Sequence, residues 1–350
     1  MKVITINTSK TYDVVIGPGL IAEIGFRIRT LKGMCRCAVI SDSNIWPIYK
    51  SQVTASLEKA GLDFITYVFH AGEASKNTET YTAILQFLAE NHITRSDLVI
   101  ALGGGVTGDM AGFAAATYLR GIDYIQVPTS LLAMVDSSVG GKTAIDLPCG
   151  KNLVGAFYQP ITVLCDTDAL NTLPIEVFRD GCAEVIKYAV LFDTALFEHL
   201  QQLGMKFDRE HVIAACVEHK RAVVSGDEFD RGQRQLLNLG HTIGHCIEAE
   251  SNFAITHGQA VAAGMCIMAR AGVKLGITEE AQCKQIAELV NKFDLPSNTQ
   301  FTSNVLVKHA LSDKKRSGDT INLVIPECIG ACSLQRTPVQ KLQSIIEAGL

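Results

Sequence analysis

The chain has 350 residues, 47% hydrophobic and 19% charged, a balance that suits two compact domains and excludes a disordered or low-complexity chain. Its formal net charge of −5 argues against nucleic acid or a membrane surface as partner, so any basic cluster must be local and matched to a small anionic ligand. No apolar run reaches the roughly 18–20 residues of a membrane span, and eleven cysteines without a Cys-x-x-Cys pair suit reduced thiols in a cytoplasmic protein.

The start, Met1 to Asn7, alternates like a strand and lacks the apolar core of a signal peptide. Residues 2–7 and 12–16 predict a hairpin. Residues 37–42 form an apolar strand ending in Asp42, residues 49–60 a helix, 64–69 a strand and 77–91 a helix. Residues 98–102 read as a buried strand running into glycines, followed by a helical run over 110–119 and a strand over 124–128. From about residue 171 the pattern is helical almost throughout, with a break at Pro296 and a late strand over 320–326. The alternation predicts an α/β N-terminal domain with a largely parallel, Rossmann-like sheet over 1–170. An α-helical C-terminal domain is expected over 171–350. Cys182, Cys216, Cys246 and Cys266 sit in helical patterns as small core residues.

The turn Leu102-Gly103-Gly104-Gly105-Val106-Thr107-Gly108-Asp109 joins a strand to a helix. Glycines there allow close backbone approach, and free N–H groups at a helix start attract phosphate. Its spacing departs from Gly-x-Gly-x-x-Gly. Asp42 and the segment Gly72-Glu73-Ala74-Ser75-Lys76 also fall at carboxyl ends of strands, where ligands of parallel sheets gather and an acid can hold ribose hydroxyls. Lys142 and Lys151 stand in glycine-flanked turns, and Arg120, Lys187, Lys220, Arg234 and Lys314-Lys315 are further cations. Each alone reads as solvated surface charge except Lys187, whose neighbours are apolar. Together the lysines suit a substrate carrying phosphate and carboxylate groups.

His241 and His245 are four apart, so one helix face can turn both imidazoles into one cavity, and His257 follows a dozen residues later. Glu184 lies in an apolar helical run with Lys187 three residues on, a pair costly to bury without a ligand. Histidines with a carboxylate in this pattern point to a zinc-type site. Spacing alone selects His241 and His245 as ligands and leaves His257 undecided.

With these residues assembled, the chain resembles the 3-dehydroquinate synthase family. The matching segments are Gly-Glu-x-x-Lys at 72–76, Gly-Gly-Gly-Val-x-Gly-Asp at 103–109, Pro-Thr-x-Leu-Leu-Ala-x-Val-Asp at 128–136 and Gly-Gly-Lys-Thr at 140–143. They continue with Gly-Lys-Asn at 150–152, Ala-Glu-Val-Ile-Lys at 183–187, Leu-Leu-Asn-Leu-Gly-His-Thr-x-Gly-His at 236–245 and His-Gly-x-Ala-Val at 257–261. The resemblance implies bound NAD and one divalent metal, zinc or cobalt. It implies that Glu184, His241 and His257 hold the metal while His245 faces the substrate. It assigns NAD to Asp42, Glu73, Lys76, Gly105, Val106, Thr107, Gly108, Asp109, Thr129, Ser130, Lys142, Lys151 and the turn Ala169, Leu170, Asn171, Thr172. It assigns the substrate to Asp136, Lys142, Asn152, Lys187, Lys220, Arg234, Asn238, His245 and one of Lys314 and Lys315. Arg120 would reach the phosphate from a neighbouring subunit, which implies a homodimer. By the same resemblance, 1–170 would bind NAD and 171–350 the metal and substrate.

The implied reaction turns 3-deoxy-D-arabino-heptulosonate 7-phosphate into 3-dehydroquinate and phosphate, in the shikimate pathway. Its steps are transient oxidation by NAD, β-elimination of phosphate, re-reduction, ring opening and an intramolecular aldol addition. The alternatives are another sugar-phosphate cyclase, such as a 2-deoxy-scyllo-inosose synthase, or a metal-dependent polyol dehydrogenase. Glu176-Val177 and Asp230 depart from the family's usual Arg-Glu and glutamate. Arg234, Asn238, His241 and His245 are expected on one helix, with their side chains on a shared face.

Overall fold

The computed structural model describes residues 1–312, 316–317 and 319–350; Lys314 and Lys315 lie outside them. β1 (Lys2–Ile6) and β2 (Tyr12–Gly17) form the antiparallel hairpin, with Lys2 opposite Ile16 and Ile6 opposite Tyr12. α1 (Ile24–Lys32), β3 (Cys37–Asp42), α2 (Trp46–Lys59), β4 (Phe64–Phe69), α3 (Thr78–Glu90), β5 (Leu98–Gly103), α4 (Gly105–Thr117) and β6 (Asp123–Pro128) then alternate. β7 (Lys142–Leu147) pairs with β8 (Gly150–Phe157), and β9 (Thr162–Asp166) follows. The helices α5 (Ile175–Phe192), α6 (Thr194–Leu203), α7 (Arg209–Gly226), α8 (His241–Glu250), α9 (His257–Lys274), α10 (Glu280–Lys292) and α11 (Ser303–Ser312) come next. β10 (Arg316–Ser317), β11 (Thr320–Cys328), β12 (Ala331–Pro338) and α12 (Leu342–Gly349) close the chain.

The first sheet has seven strands in the order β1-β2-β9-β6-β5-β3-β4. Only β1 runs antiparallel to its neighbour; every other pairing is parallel. β3 and β5 are buried at every residue, which is why their sequences read as unbroken apolar runs instead of alternating. Ala38, Ile40, Val99 and Ala101 of these strands pack with Ile84 and Leu88 of α3 and Met110, Ala111 and Ala114 of α4. In the later part, Ile243 and Ile247 of α8, Ala260 and Ile267 of α9, Leu306 of α11, Ile321 and Leu323 of β11 and Ile346 of α12 share a second core. Among the described residues no helix is long and apolar enough to cross a membrane.

Contacts divide the chain into Met1–Leu173 with Arg209–Phe229, and Pro174–Asp208 with Asp230–Leu350. The single division expected at 170/171 is therefore not the one observed. α7 returns to the first unit because it packs on β1, β2 and the turn Ala133–Ser137. Lys142 and Lys151, expected in turns, stand in β7 and β8. Gly140 and Gly141, at φ 92 and 69, make the reversal ahead of Lys142, which then pairs with Phe157.

Asp166 ends β9 and anchors the turn Thr167–Asn171. Its buried carboxylate accepts N–H bonds from Gly19 (2.9 Å), Ile21 (2.8 Å) and Asp168 (3.0 Å). Asp166→Ala strands these donors, so it should lower stability by about 2–4 kcal/mol, read as an earlier urea midpoint. Asp166→Asn, which keeps one acceptor oxygen, should lose less.

Candidate functional site

In the second unit, α5 is buried at every residue from Gly181 to Val190, so Glu184 and Lys187, three apart on one helix face, are enclosed with it. Lys187 Nζ lies 2.5 Å from Glu184 Oε2. Glu184 Oε1 is 2.9 Å from His257 Nε2 and 3.3 Å from His241 Nε2. The ligand atoms of Glu184, His241 and His257 all lie within 4.8 Å of one another. A buried carboxylate facing two imidazole nitrogens is the donor set of a zinc-type ion, and these residues fit one. The pair selected by spacing, His241 with His245, is not the pair that meets Glu184. One helical turn moves His245 along α8, where its ring centre is 5.5 Å from that of His241 and 6.2 Å from that of His257.

Backbone packing brings the three residues together. α9 starts with a capping box between Thr256 and Gln259. Thr256 Oγ1 bonds to Asp180 Oδ1, and the Gln259 N–H bonds to the same oxygen at 3.1 Å. Asp180 lies one turn before Glu184 on α5, so this clamp sets His257 beside Glu184. It leaves no room at Gly258, where a Cβ would lie 2.0 Å from the Asp180 carbonyl oxygen. Gly240, at φ 77, breaks the chain between the 3₁₀ turn Gln233–Asn238 and α8. The expectation of one helix from Arg234 to His245 is therefore corrected. Asn238 bonds back to the Gln235 carbonyl at 3.0 Å, and Arg234 is buried.

Burial alone would raise the pKa of Glu184, but the charges of Lys187 and then His241 hold the carboxyl well below its usual range. Burial keeps His241 below its ordinary value despite Glu184. For His257 burial acts downward too, but hydrogen bonds to Glu184 and Glu248 prevail and push it up to about 10. Glu248 was missed in the sequence. It is buried, with Oε2 3.4 Å from His257 Nδ1. Its signal was an acid in an apolar helical run, seven residues after His241 and so on the same face.

In the first unit, α4 begins inside the glycine turn. Gly105, Val106, Thr107, Gly108 and Asp109 form its first residues, and Gly104 at the N-cap has no side chain to take the free N–H groups. Thr129 lies alongside, its N–H bonded to the Gly103 carbonyl at 3.0 Å. Its hydroxyl is buried without a hydrogen-bond partner among the described residues, and Ser130 is its neighbour. Open helix-start donors beside an orphan hydroxyl fit a phosphate-bearing ligand. Asp42 is already engaged: it accepts from the Asn44 and Ile45 N–H groups and from Thr107 Oγ1 at 3.3 Å. Lys76 is buried between Asp109 (2.6 Å) and Asn152 Oδ1 (2.5 Å). Burial would lower its pKa, but Asp109 and then Glu73 raise it. Lys151 pairs with Glu73 at 3.5 Å. The turn Ala169, Leu170, Asn171 and Thr172 is pinned by Tyr49, whose hydroxyl meets Ala169 O at 3.2 Å and Thr172 Oγ1 at 2.6 Å, and by Arg209 on Asn171 at 2.6 Å.

The other predicted side chains divide between the units. Lys220 of α7 bonds to the carbonyl (2.5 Å) and carboxylate of Asp136, which sits in a single π-helical turn, Ala133–Ser137. Lys142 and Asn152 are exposed, Asn152 at φ 54. Arg120 is exposed at φ 67, next to Leu119 at φ 51. Lys187, Arg234, Asn238 and His245 belong to the second unit. Glu176 is exposed in the first turn of α5, and Asp230 is left-handed at φ 59. Lys314 lies outside the described residues.

Two family descriptions match the chain, 3-dehydroquinate synthase N-terminal over residues 66–180 and 3-dehydroquinate synthase C-terminal over 181–316. The 3-dehydroquinate synthase of Clostridium acetobutylicum is 44% identical over 332 residues, 93% of each chain. Among solved structures, a 2-deoxy-scyllo-inosose synthase complexed with carbaglucose-6-phosphate, NAD+ and Co2+ superposes with a TM-score of 0.89 at 25% identity, covering 100% of both chains. The 2-epi-5-epi-valiolone synthase of Streptomyces hygroscopicus, with NAD+ and Zn2+ bound, gives 0.87 at 25% identity, covering 99% of this chain and 97% of that one.

Alanine at Glu184, His241 or His257 should weaken Co2+ binding by more than the roughly 10–100-fold typical of an outer partner, while leaving a folded chain. Isothermal titration checks this; undiminished binding in all three variants would remove the triad. His257 holds a proton between its ordinary value of 6.5 and about 10 in the metal-free chain. Metal must displace that proton, so affinity should rise with pH across this window, by up to about tenfold per unit.

Proposed function

The chain belongs to the 3-dehydroquinate synthase family, and on that premise we propose that it converts 3-deoxy-D-arabino-heptulosonate 7-phosphate to 3-dehydroquinate and phosphate. This makes it a carbon–oxygen lyase acting on a phosphate ester, working in the cytoplasm as a homodimer. The observation that carries the reading is the convergence of Glu184, His241 and His257 in a chain that matches the family over both halves.

When bound, NAD would supply a hydride acceptor and donor, and a zinc or cobalt ion a Lewis acid at the substrate hydroxyl. Glu184, His241 and His257 hold the ion. The start of α4, with Thr129, Ser130 and the turn 169–172, holds the dinucleotide. Lys187 keeps Glu184 ionised and presents an ammonium next to it. Arg234, Asn238 and His245 grip the substrate's anionic groups, Arg being able to hold a carboxylate bidentately, and Lys142, Asn152 and Lys220 are further substrate-binding residues by the family resemblance. Arg120, held out on two left-handed residues, would serve the neighbouring subunit's phosphate. Substrate and products stand at the same oxidation level, so NAD is restored within each turnover.

Phosphate release should exceed the NAD present many times over, stop with a chelator and leave no NADH at steady state. NADH building up in step with turnover would favour a polyol dehydrogenase. The fit to 2-deoxy-scyllo-inosose synthase favours one rival, a different cyclase on this scaffold. Activity on glucose 6-phosphate or sedoheptulose 7-phosphate, with none on the heptulosonate, would select it. Arg234→Ala should cost at least about 100-fold in kcat/KM on the carboxylated substrate, on the order of 3 kcal/mol, well beyond loss of a surface charge.

A further inference from the structure

An imidazole can offer Nε2 to a metal only if its proton sits on Nδ1, and that N–H then needs an acceptor. His241 meets the need with backbone: its Nδ1 lies 3.1 Å from the Leu239 carbonyl oxygen, which can only accept, while Nε2 faces Glu184. His257 has its Nε2 on Glu184 in the same way, but its Nδ1 faces a side chain, Glu248 Oε2, at 3.4 Å. Glu248 is 3% exposed and sits in the last turn of α8, the helix that carries His241. His257 is the first residue of α9, at the positive end of the helix dipole, where a carboxylate offsets the local potential. The connection from α8 to α9 turns back through two consecutive left-handed residues, Asn252 at φ 50 and Phe253 at φ 62. A left-handed phenylalanine carries strain that a free loop would shed. Here that reversal returns the start of α9 to the end of α8 and so sets His257 against Glu248.

We propose that Glu248 is a positioning residue: by accepting the Nδ1–H of His257 it fixes the tautomer and ring plane that present Nε2 to the metal. The inference rests on the reading of Glu184, His241 and His257 as ligands and extends it to a carboxylate that pattern did not single out. Glu248 also has a carboxylate oxygen within 4.8 Å of ring nitrogens of both His245 and His257. It could therefore serve as a ligand itself, and that is the alternative the experiment must separate.

The experiment titrates Co2+ into the metal-free full chain, for wild type, E184A, E248Q and E248L, and records affinity, stoichiometry and the visible d–d absorption. One ion bound by wild type and lost in E184A upholds the triad reading by itself; wild type without binding, or E184A unchanged, sinks that reading whatever Glu248 does. Given the triad, E248L should bind about 10–100-fold more weakly with a shifted d–d spectrum. E248Q, which keeps an acceptor oxygen, should recover most of the affinity and the wild-type spectrum. E248L binding within about twofold of wild type with an unchanged spectrum would overturn the role, as would two ions per wild-type chain. If E248L fails to fold, ¹⁵N shifts of His257 in the zinc-loaded wild type decide: a protonated Nδ1 and a metal-bound Nε2 support the proposal, and the reverse tautomer defeats it.

Discussion

The carboxylate of Glu184 is the group around which the polar residues of the second unit's buried site are gathered. A buried acid is costly unless other groups repay its lost hydration. Here Lys187 comes from the same helix, one imidazole from the start of α8 and another from the start of α9. Three helices must therefore meet at one point. The clamp of Thr256 and Gln259 on Asp180 and the glycines at 240 and 258 bring their backbones close enough to do so. The same concentration of polar groups in an apolar interior suits a divalent ion, which repays the desolvation of all of them at once.

The first unit offers an anion backbone donors instead of many buried cations. A helix that starts on glycine leaves its first N–H groups free, and the parallel sheet sets that start of α4 at the carboxyl end of β5. Its ionic groups are mostly spent on one another. Lys76 is held by Asp109 and Asn152, Lys151 by Glu73, and Lys220 by Asp136. Cations held by neighbours are already oriented, which lowers the ordering cost when an anionic ligand arrives.

The strands β3, β4, β5 and β6 were legible because their apolar runs are short, bounded by turn residues and rich in β-branched side chains. β7 and β8 were not. Glycines around Lys142 and Lys151 read as turns, and β8, though it holds Leu153, Val154 and Phe157, is largely exposed, so no alternation of buried and exposed positions marks it. The one-helix reading of 234–245 failed at Gly240. A period-based argument does not see one left-handed residue, yet such a residue changes the direction of every side chain before it. The return of α7 to the first unit was equally hidden, since a helix's sequence records that one face is buried but not against what.

The sequence by itself determined the α/β alternation, the helical second half, the family and the residue types from which a metal and dinucleotide site can be built. These follow from periodicity, turn chemistry and motif order, all written locally along the chain. Tertiary structure alone decided which histidines meet Glu184. Spacing favours His241 with His245 because four residues share a helix face. His257 displaces His245 because α9 is docked on Asp180, 77 residues upstream, through a contact no local pattern encodes. Glu248 depended on the fold for the same reason: its offset from His241 marks a face, but only the left-handed reversal at Asn252 and Phe253 brings His257 back to it.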